Sequence, residues 1–186
     1  TYLGPNWTGF ADSDNLWLGI PNANTVVQLP LNDITSCTAN PEWALIDTDQ
    51  GNGTPNLTIQ NDETTCEETI EWRSWNQDGQ FGSKVMVTET TDNTQQLWVG
   101  APEAQNGKGQ VLLFNPENED NEPIAQWTGP NTGTHWGDQI VSCGDITGDG
   151  LPDVITSSHN AFNQAGGVQL LRSEDLGTVN GTISKR

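Results

Sequence analysis

Basic residues are scarce in this 186-residue chain: 6 Lys and Arg stand against 25 Asp and Glu, a formal net charge of −19. A surface this anionic repels phosphate backbones, which are bound by exchanging counterions for Lys and Arg, so nucleic acid is excluded as a partner. Anionic membrane surfaces are excluded on the same ground. Long apolar runs are missing too: the hydrophobic set makes up 32% of residues, and nothing approaches the roughly 18 to 20 consecutive apolar residues of a membrane helix. The opening TYLGPNWTGF lacks the basic-then-apolar order of a signal peptide. The chain starts at Thr1 and ends at Lys185-Arg186, as expected of a piece excised from a longer precursor.

Cysteine and histidine are also sparse. Three Cys and no C-x-x-C or Cys/His cluster give zinc, haem and thioredoxin-type chemistry no support. In an extracellular setting Cys37 and Cys66 could pair and leave Cys143 over; three buried small hydrophobes are the alternative. The only conventional bases are His135 and His159, and no Ser or Cys stands in a nucleophile motif, so the chain is not expected to be an enzyme.

What is abundant is turn chemistry: 20 Gly and 10 Pro, with many Asn, Thr and Asp. No segment holds a 3.6-residue apolar period, and short apolar runs are bounded by Gly, Pro, Asn and Asp, so the fold class is all-β. Low hydrophobicity with high charge also marks disordered chains, but these are poor in aromatics, and 8 Trp argue for a packed core.

The chain repeats itself. Phe81-Gly82 and Trp136-Gly137 each open a short apolar strand; eighteen residues later come Val99 and Val154, in gapless register. Each copy then crosses a Gly/Asn/Gln turn, 105–109 or 163–167, into a third strand, Val111–Phe114 or Val168–Leu171. Leu16-Trp17-Leu18-Gly19-Ile20-Pro21 matches Leu97-Trp98-Val99-Gly100-Ala101-Pro102, and the segments 43–46 and 56–59 supply a further, weaker copy. With positions 17, 56, 98 and 153 matched, four repeats of about blade length fill one domain over 1–186, at 1–36, 37–72, 73–127 and 128–186. The acidic run 115–123 reads as a solvated connection.

The sharpest motif is Asp145-Ile-Thr147-Gly-Asp149-Gly150-Leu151-Pro-Asp153, between two strands. Oxygen side chains fall at loop positions 1, 3, 5 and 9, and Gly150 permits the left-handed bend that wraps the loop. Three carboxylates without a nearby Lys or Arg repel one another, and a hard cation relieves this. Ca2+, which takes six to eight oxygens including carbonyls such as that of Leu151, is preferred over Mg2+. An EF-hand is rejected, because position 12 is Thr156 and strands flank the loop; a plain Asp/Gly turn is the competing reading. A weaker second site is expected at Asp47, Asp49, Asn52 and Asn56, where one residue is inserted and Asn replaces two Asp. At Thr90–Thr94 no ion is expected.

Phe81-Gly82, Gly100-Ala101-Pro102 and the 145–153 loop together resemble the FG-GAP repeat of the integrin alpha-subunit β-propeller and its microbial relatives. The resemblance implies four-stranded blades, a Ca2+ held by Asp145, Thr147, Asp149, Asp153 and the Leu151 carbonyl, and ligand-binding loops on one face. Such propellers usually have seven blades, so four repeats imply a part completed by further blades of the same precursor or another chain. The expected function is an extracellular or cell-surface, calcium-stabilised module for adhesion to a protein or glycan. The alternative is a carbohydrate-binding propeller, or the non-catalytic propeller part of a secreted enzyme acting on polysaccharide or lipid. In the carbohydrate reading Trp7, Trp75 and Trp127 are the free stacking candidates, whereas Trp17 and Trp98 share a core role. The sequons at Asn6, Asn52, Asn56 and Asn180 fit a secreted glycoprotein.

Overall fold

The computed structural model describes residues 8–31, 43–48, 55–60, 73–118 and 122–171. Within them the chain is all-β and every strand pairing is antiparallel. The first sheet joins β1 (Thr8–Ala11), β2 (Asn15–Ile20), β3 (Thr25–Pro30) and β6 (Arg73–Asn76), in that order. Between β3 and β6 in sequence lies a hairpin of β4 (Trp43–Thr48) and β5 (Pro55–Gln60). The second sheet is β7 (Lys84–Glu89), β8 (Gln95–Ala101), β9 (Gln110–Phe114) and β10 (Ala125–Thr128). The third is β11 (Gln139–Gly144), β12 (Asp153–Ser158) and β13 (Gly167–Leu171). Among the described residues helix-like structure is confined to single turns, and those at Ala104–Gly107 and Ala161–Gln164, both between the second and third strands of a sheet, include left-handed residues.

The second strands β2 (NLWLGI) and β8 (QQLWVGA) are almost continuously apolar because both of their faces are covered. A Pro follows each, Pro21 and Pro102, and without an N–H it cannot extend the ladder. One face of the first sheet (Trp17, Val26, Trp75) packs on one face of the second (Val85, Val87, Leu97, Val99, Leu112, Phe114). The other face of the second sheet (Met86, Trp98, Val111, Leu113, Trp127) packs on Ile140, Val154 and Leu171 of the third. Buried Trp pairs sit at matching places: Trp17 and Trp75 have ring centroids 5.7 Å apart, and Trp98 stacks on Trp127 at 5.4 Å.

Two glycines set the spacing between sheets. A Cβ on Gly19 of β2 would lie 2.0 Å from the Gly82 carbonyl oxygen, at the entrance to the second sheet. A Cβ on Gly100 of β8 would lie 2.1 Å from the Gly137 carbonyl oxygen, at the entrance to the third. Gly82 and Gly137 both hold left-handed backbone, with φ of 93° and 88°. The aromatic-Gly pairs thus seat their carbonyls on the glycines of the preceding sheet, and the same contact recurs one sheet further on.

The pairing revises two readings made from the sequence. β3 pairs with β6, placing Val26 opposite Trp75 just as Val111 stands opposite Trp127. Strand 73–76 therefore closes the first sheet, and the 43–60 hairpin is interposed before that closing strand; the sheets do not follow repeats bounded at 36, 72 and 127. The gapless register also fails across one loop. Val85 pairs with Val99, but its counterpart Ile140 pairs with Thr156. The 145–153 loop is two residues longer than its counterpart, so Ile155 rather than Asp153 occupies the place of Trp98, and Ser157 that of Gly100. The left-handed Gln105 (φ 54°) and Phe162 (φ 53°), one turn later, obey the same offset.

Candidate metal centre

The loop 145–152 connects β11 to β12, and a β-bulge between Ser142 and Gly144 redirects the chain into it. Its amides are turned inward. The Asp145 carboxylate accepts from the N–H groups of Gly148 (2.6 Å), Asp149 (3.1 Å) and Gly150 (2.9 Å). Gly148 and Gly150 make this possible by adopting φ of 77° and 87°. The Asp153 carboxylate accepts from the N–H groups of Ile146 and Thr147, each 2.8 Å, and from the Thr147 hydroxyl at 3.3 Å. Asp149 Oδ1 accepts from Leu151 N–H at 2.8 Å.

The structure thus gathers the sequence-derived set Asp145, Thr147, Asp149, Leu151 and Asp153 into one loop, in unequal environments. Asp145, Thr147 and Asp149 are exposed, whereas Asp153 is fully buried. A buried carboxylate must be compensated, and here backbone N–H groups do so. Asp153 also acts on Cys143, whose thiol donates to the Asp153 carbonyl at 3.3 Å. Desolvation, then the charge of Asp153, push the Cys143 thiol above its ordinary pKa, so it is a poor nucleophile and a free, half-buried thiol.

The donor set is entirely oxygen, which suits a hard cation such as Ca2+. Among the described residues, however, no three Asp, Glu, His or Cys side chains converge on a common centre. The loop is held by its own amides, with the second Asp149 oxygen uncommitted among the described hydrogen bonds.

For the weaker site, Asp47 and Asn56 face each other across the β4–β5 hairpin register, and Asp49 and Asn52 lie outside the described residues. Cys37, Cys66, Trp7 and the sequons at Asn6, Asn52 and Asn180 also lie outside them. Two of the three stacking candidates are not free: Trp75 is 0% and Trp127 is 4% exposed, so both belong to the core.

Sequence reasoning missed Asp12, in the β1–β2 turn. Its carboxylate accepts from the N–H groups of Asp14 (2.8 Å) and Asn15 (2.7 Å), from Trp17 Nε1 (2.9 Å), and from Gln95 Nε2 of the second sheet (3.3 Å). Partial burial works to raise its pKa, but the bonds from Trp17 and the two amides outweigh that and hold it below the usual carboxylate range. A depressed pKa in the folded chain stabilises above the unfolded-state value and is lost as pH falls through the folded one. Asp12→Asn is therefore expected to lower the urea midpoint at neutral pH, and the gap from wild type should close as the pH falls below the usual carboxylate range, through the folded-state pKa.

Turns from all three sheets also border a polar cleft of about 290 Å³, lined by Thr8, Asn22, Gln80, Ser83, Asp138 and Gln139. His159 Nδ1 lies 3.2 Å from Asp138 Oδ2, and His135 Nδ1 lies 3.0 Å from Glu103. No family model matches the chain, and no curated protein matches it. Among the described residues no helix is long and apolar enough to cross a membrane.

Proposed function

We propose that the chain is a calcium-stabilised binding module of the FG-GAP, β-propeller type, working outside the cell or at its surface, whose stacked sheets are blades. The observation that carries this reading is the 145–153 loop, where an oxygen-only donor set lies between the first two strands of a sheet entered through an aromatic-Gly pair. Asp145, Thr147, Asp149, Asp153 and the Leu151 carbonyl would hold the ion. Bound Ca2+ would neutralise the carboxylates and brace the β11–β12 connection, a structural rather than catalytic role. The polar cleft, with three side-chain amides, two hydroxyls and one carboxylate, would take a polar group of a protein or glycan ligand. No residue is assigned a catalytic role.

Thermal unfolding with Ca2+ or with chelator tests the ion. Calcium at tenfold excess over its dissociation constant adds about 1.4 kcal/mol, which raises the melting temperature by roughly 3 to 6 °C for a domain of this size. The rise is expected in the wild type and not in Asp149→Ala. A wild-type melting temperature indifferent to calcium would leave the loop an amide-held turn.

A further inference from the structure

We propose that the polar cleft bordered by the three sheets binds a neutral sugar through its paired hydroxyls, which makes the ligand of the module a neutral glycan. This rests on the cleft being the module's ligand site and does not depend on calcium.

Topology places the cleft. Thr8 and Gln139 are the first residues of β1 and β11, Asn22 lies in the β2–β3 turn, and Gln80 and Ser83 lie in the connection from β6 to β7. The 145–152 loop follows Gly144, the last residue of β11, so the ion loop and the cleft stand at opposite ends of that strand. On the turns at the cleft end, carboxamide residues gather in left-handed backbone: Asn24 (φ 51°), Gln80 (59°), Gln105 (54°) and Asn106 (60°). Such backbone is costly for a residue with a side chain and persists only where its surroundings fix it. Here Asn24 Oδ1 accepts from the Gln80 N–H at 2.7 Å, which fixes Gln80 at the rim of the cleft.

The hydrogen-bonding inventory selects the ligand. The Thr8 hydroxyl donates to the Gly82 carbonyl (2.9 Å) and the Ser83 hydroxyl to the Gln80 carbonyl (2.7 Å), so both meet a ligand as acceptors. Asp138 shares Oδ2 with His159 Nδ1 at 3.2 Å and offers Oδ1. Asn22, Gln80 and Gln139 are exposed, and each side-chain amide presents an acceptor beside a two-proton donor. An anion would meet Asp138 and no Lys or Arg in the lining, within the field of a chain of net charge −19. A cation only donates, and would make no use of three NH2 groups. A hydroxyl donates and accepts, and two on adjacent carbons match the oxygen and NH2 of one carboxamide. Neutral sugars carry such pairs around their rings.

Size agrees with this. The volume of about 290 Å³ is close to the lower limit of roughly 300 Å³ for small-molecule clefts, which suits a sugar unit rather than a folded element of a protein. A second recess of about 400 Å³, lined by Ala23, Asn24, Gln77 and Asp78, repeats the composition of carboxamides with one carboxylate and no Lys or Arg.

NMR titration of the whole chain, read at the side-chain NH2 resonances of Asn22, Gln80 and Gln139, tests the proposal. The probes are glucose, galactose, mannose and N-acetylglucosamine with their β-linked trisaccharides, glucuronate, and N-acetyl-arginine amide, each to about 50 mM, enough to reveal millimolar binding. At least one neutral sugar is expected to shift these resonances saturably, with glucuronate at least about tenfold weaker. Asn22→Ala and Gln139→Ala, both at exposed positions, should each weaken binding at least about fivefold with the thermal melt unchanged. Gln126→Ala, exposed on β10 outside the cleft, should bind as the wild type does. A trisaccharide at least about tenfold tighter than its monosaccharide identifies a polysaccharide chain, and equal binding identifies the terminal sugar of a protein-borne glycan; both uphold the proposal. No shift with any neutral sugar overturns it, as does sugar binding that both folded cleft variants leave intact. If N-acetyl-arginine amide alone shifts these resonances, the neutral glycan is overturned while the cleft remains the ligand site. Sugar binding in chelator, with a melting temperature indifferent to calcium, upholds the glycan and removes only the ion.

Discussion

Gly100→Ala is expected to cost about 3 kcal/mol or more, or to prevent folding, although it adds a single methyl group. The new Cβ would lie 2.1 Å from the Gly137 carbonyl oxygen, which is backbone and cannot rotate away. Gly137 in turn is wedged against the Gln110 carbonyl and holds a left-handed φ of 88°, so relief requires the second and third sheets to separate. Gly19→Ala should behave alike at the first interface, against the Gly82 carbonyl. Gly133→Ala is the control: its φ is 80°, but nothing lies within 4 Å of a Cβ there, so it should lose only the roughly 1 to 2 kcal/mol of a left-handed side chain. Urea titrations of the three variants measure this. If Gly100→Ala and Gly133→Ala cost the same, close approach of the sheets is not what the glycine provides.

Trp98→Ala should cost about 3 to 5 kcal/mol, the loss expected for a large aromatic removed from a closed core. Trp98 is fully buried, stacks on Trp127 with an interplanar angle of 21°, and lies between the second and third sheets. Its Nε1 donates to Thr88 Oγ1 at 3.0 Å, and that hydroxyl donates to Gln96 Oε1 at 3.2 Å. Thr88→Val separates the two contributions. It leaves the ring in place but strands a buried indole N–H, a loss of about 1 to 3 kcal/mol. Equal losses in Trp98→Ala and Thr88→Val, read from denaturant midpoints, would mean that the ring's apolar packing contributes little.

The repeated parts of the fold were legible because their residues are tied to backbone geometry. Gly19 and Gly100 end equivalent strands before Pro21 and Pro102, and the aromatic-Gly pairs Phe81-Gly82 and Trp136-Gly137 mark the entrances of the second and third sheets. The register across 145–153 was not legible. A two-residue loop extension preserves the apolar periodicity of the next strand, so the sequence pattern aligns Asp153 with Trp98 where the ladder puts Ile155. The closing strand of the first sheet was hidden for a different reason: Arg73–Asn76 is four residues long and separated from its partner β3 by the 43–60 hairpin, so only pairing in space reveals it. At the loop, the sequence named the oxygen donors but could not show that backbone amides hold Asp145 and Asp153. Nor did it show the buried state of Trp75 and Trp127, since an aromatic in a short strand reads the same whichever face it occupies.

The two four-stranded sheets differ in how far the chain must travel to finish them, and this bears on the order in which they form. The second is a meander of consecutive strands from Lys84 to Thr128, each meeting its neighbour soon after synthesis. The first has its third strand complete at Pro30 and its fourth beginning only at Arg73. Closing that long loop costs entropy before the Val26–Trp75 pair returns any burial, and contacts of such sequence separation slow folding. On a ribosome β1 to β3 emerge first yet cannot complete their sheet until the interposed hairpin has followed them out. In amide hydrogen exchange, the β3–β6 seam should consequently open at lower free energy than the contiguous ladders of β7 to β10.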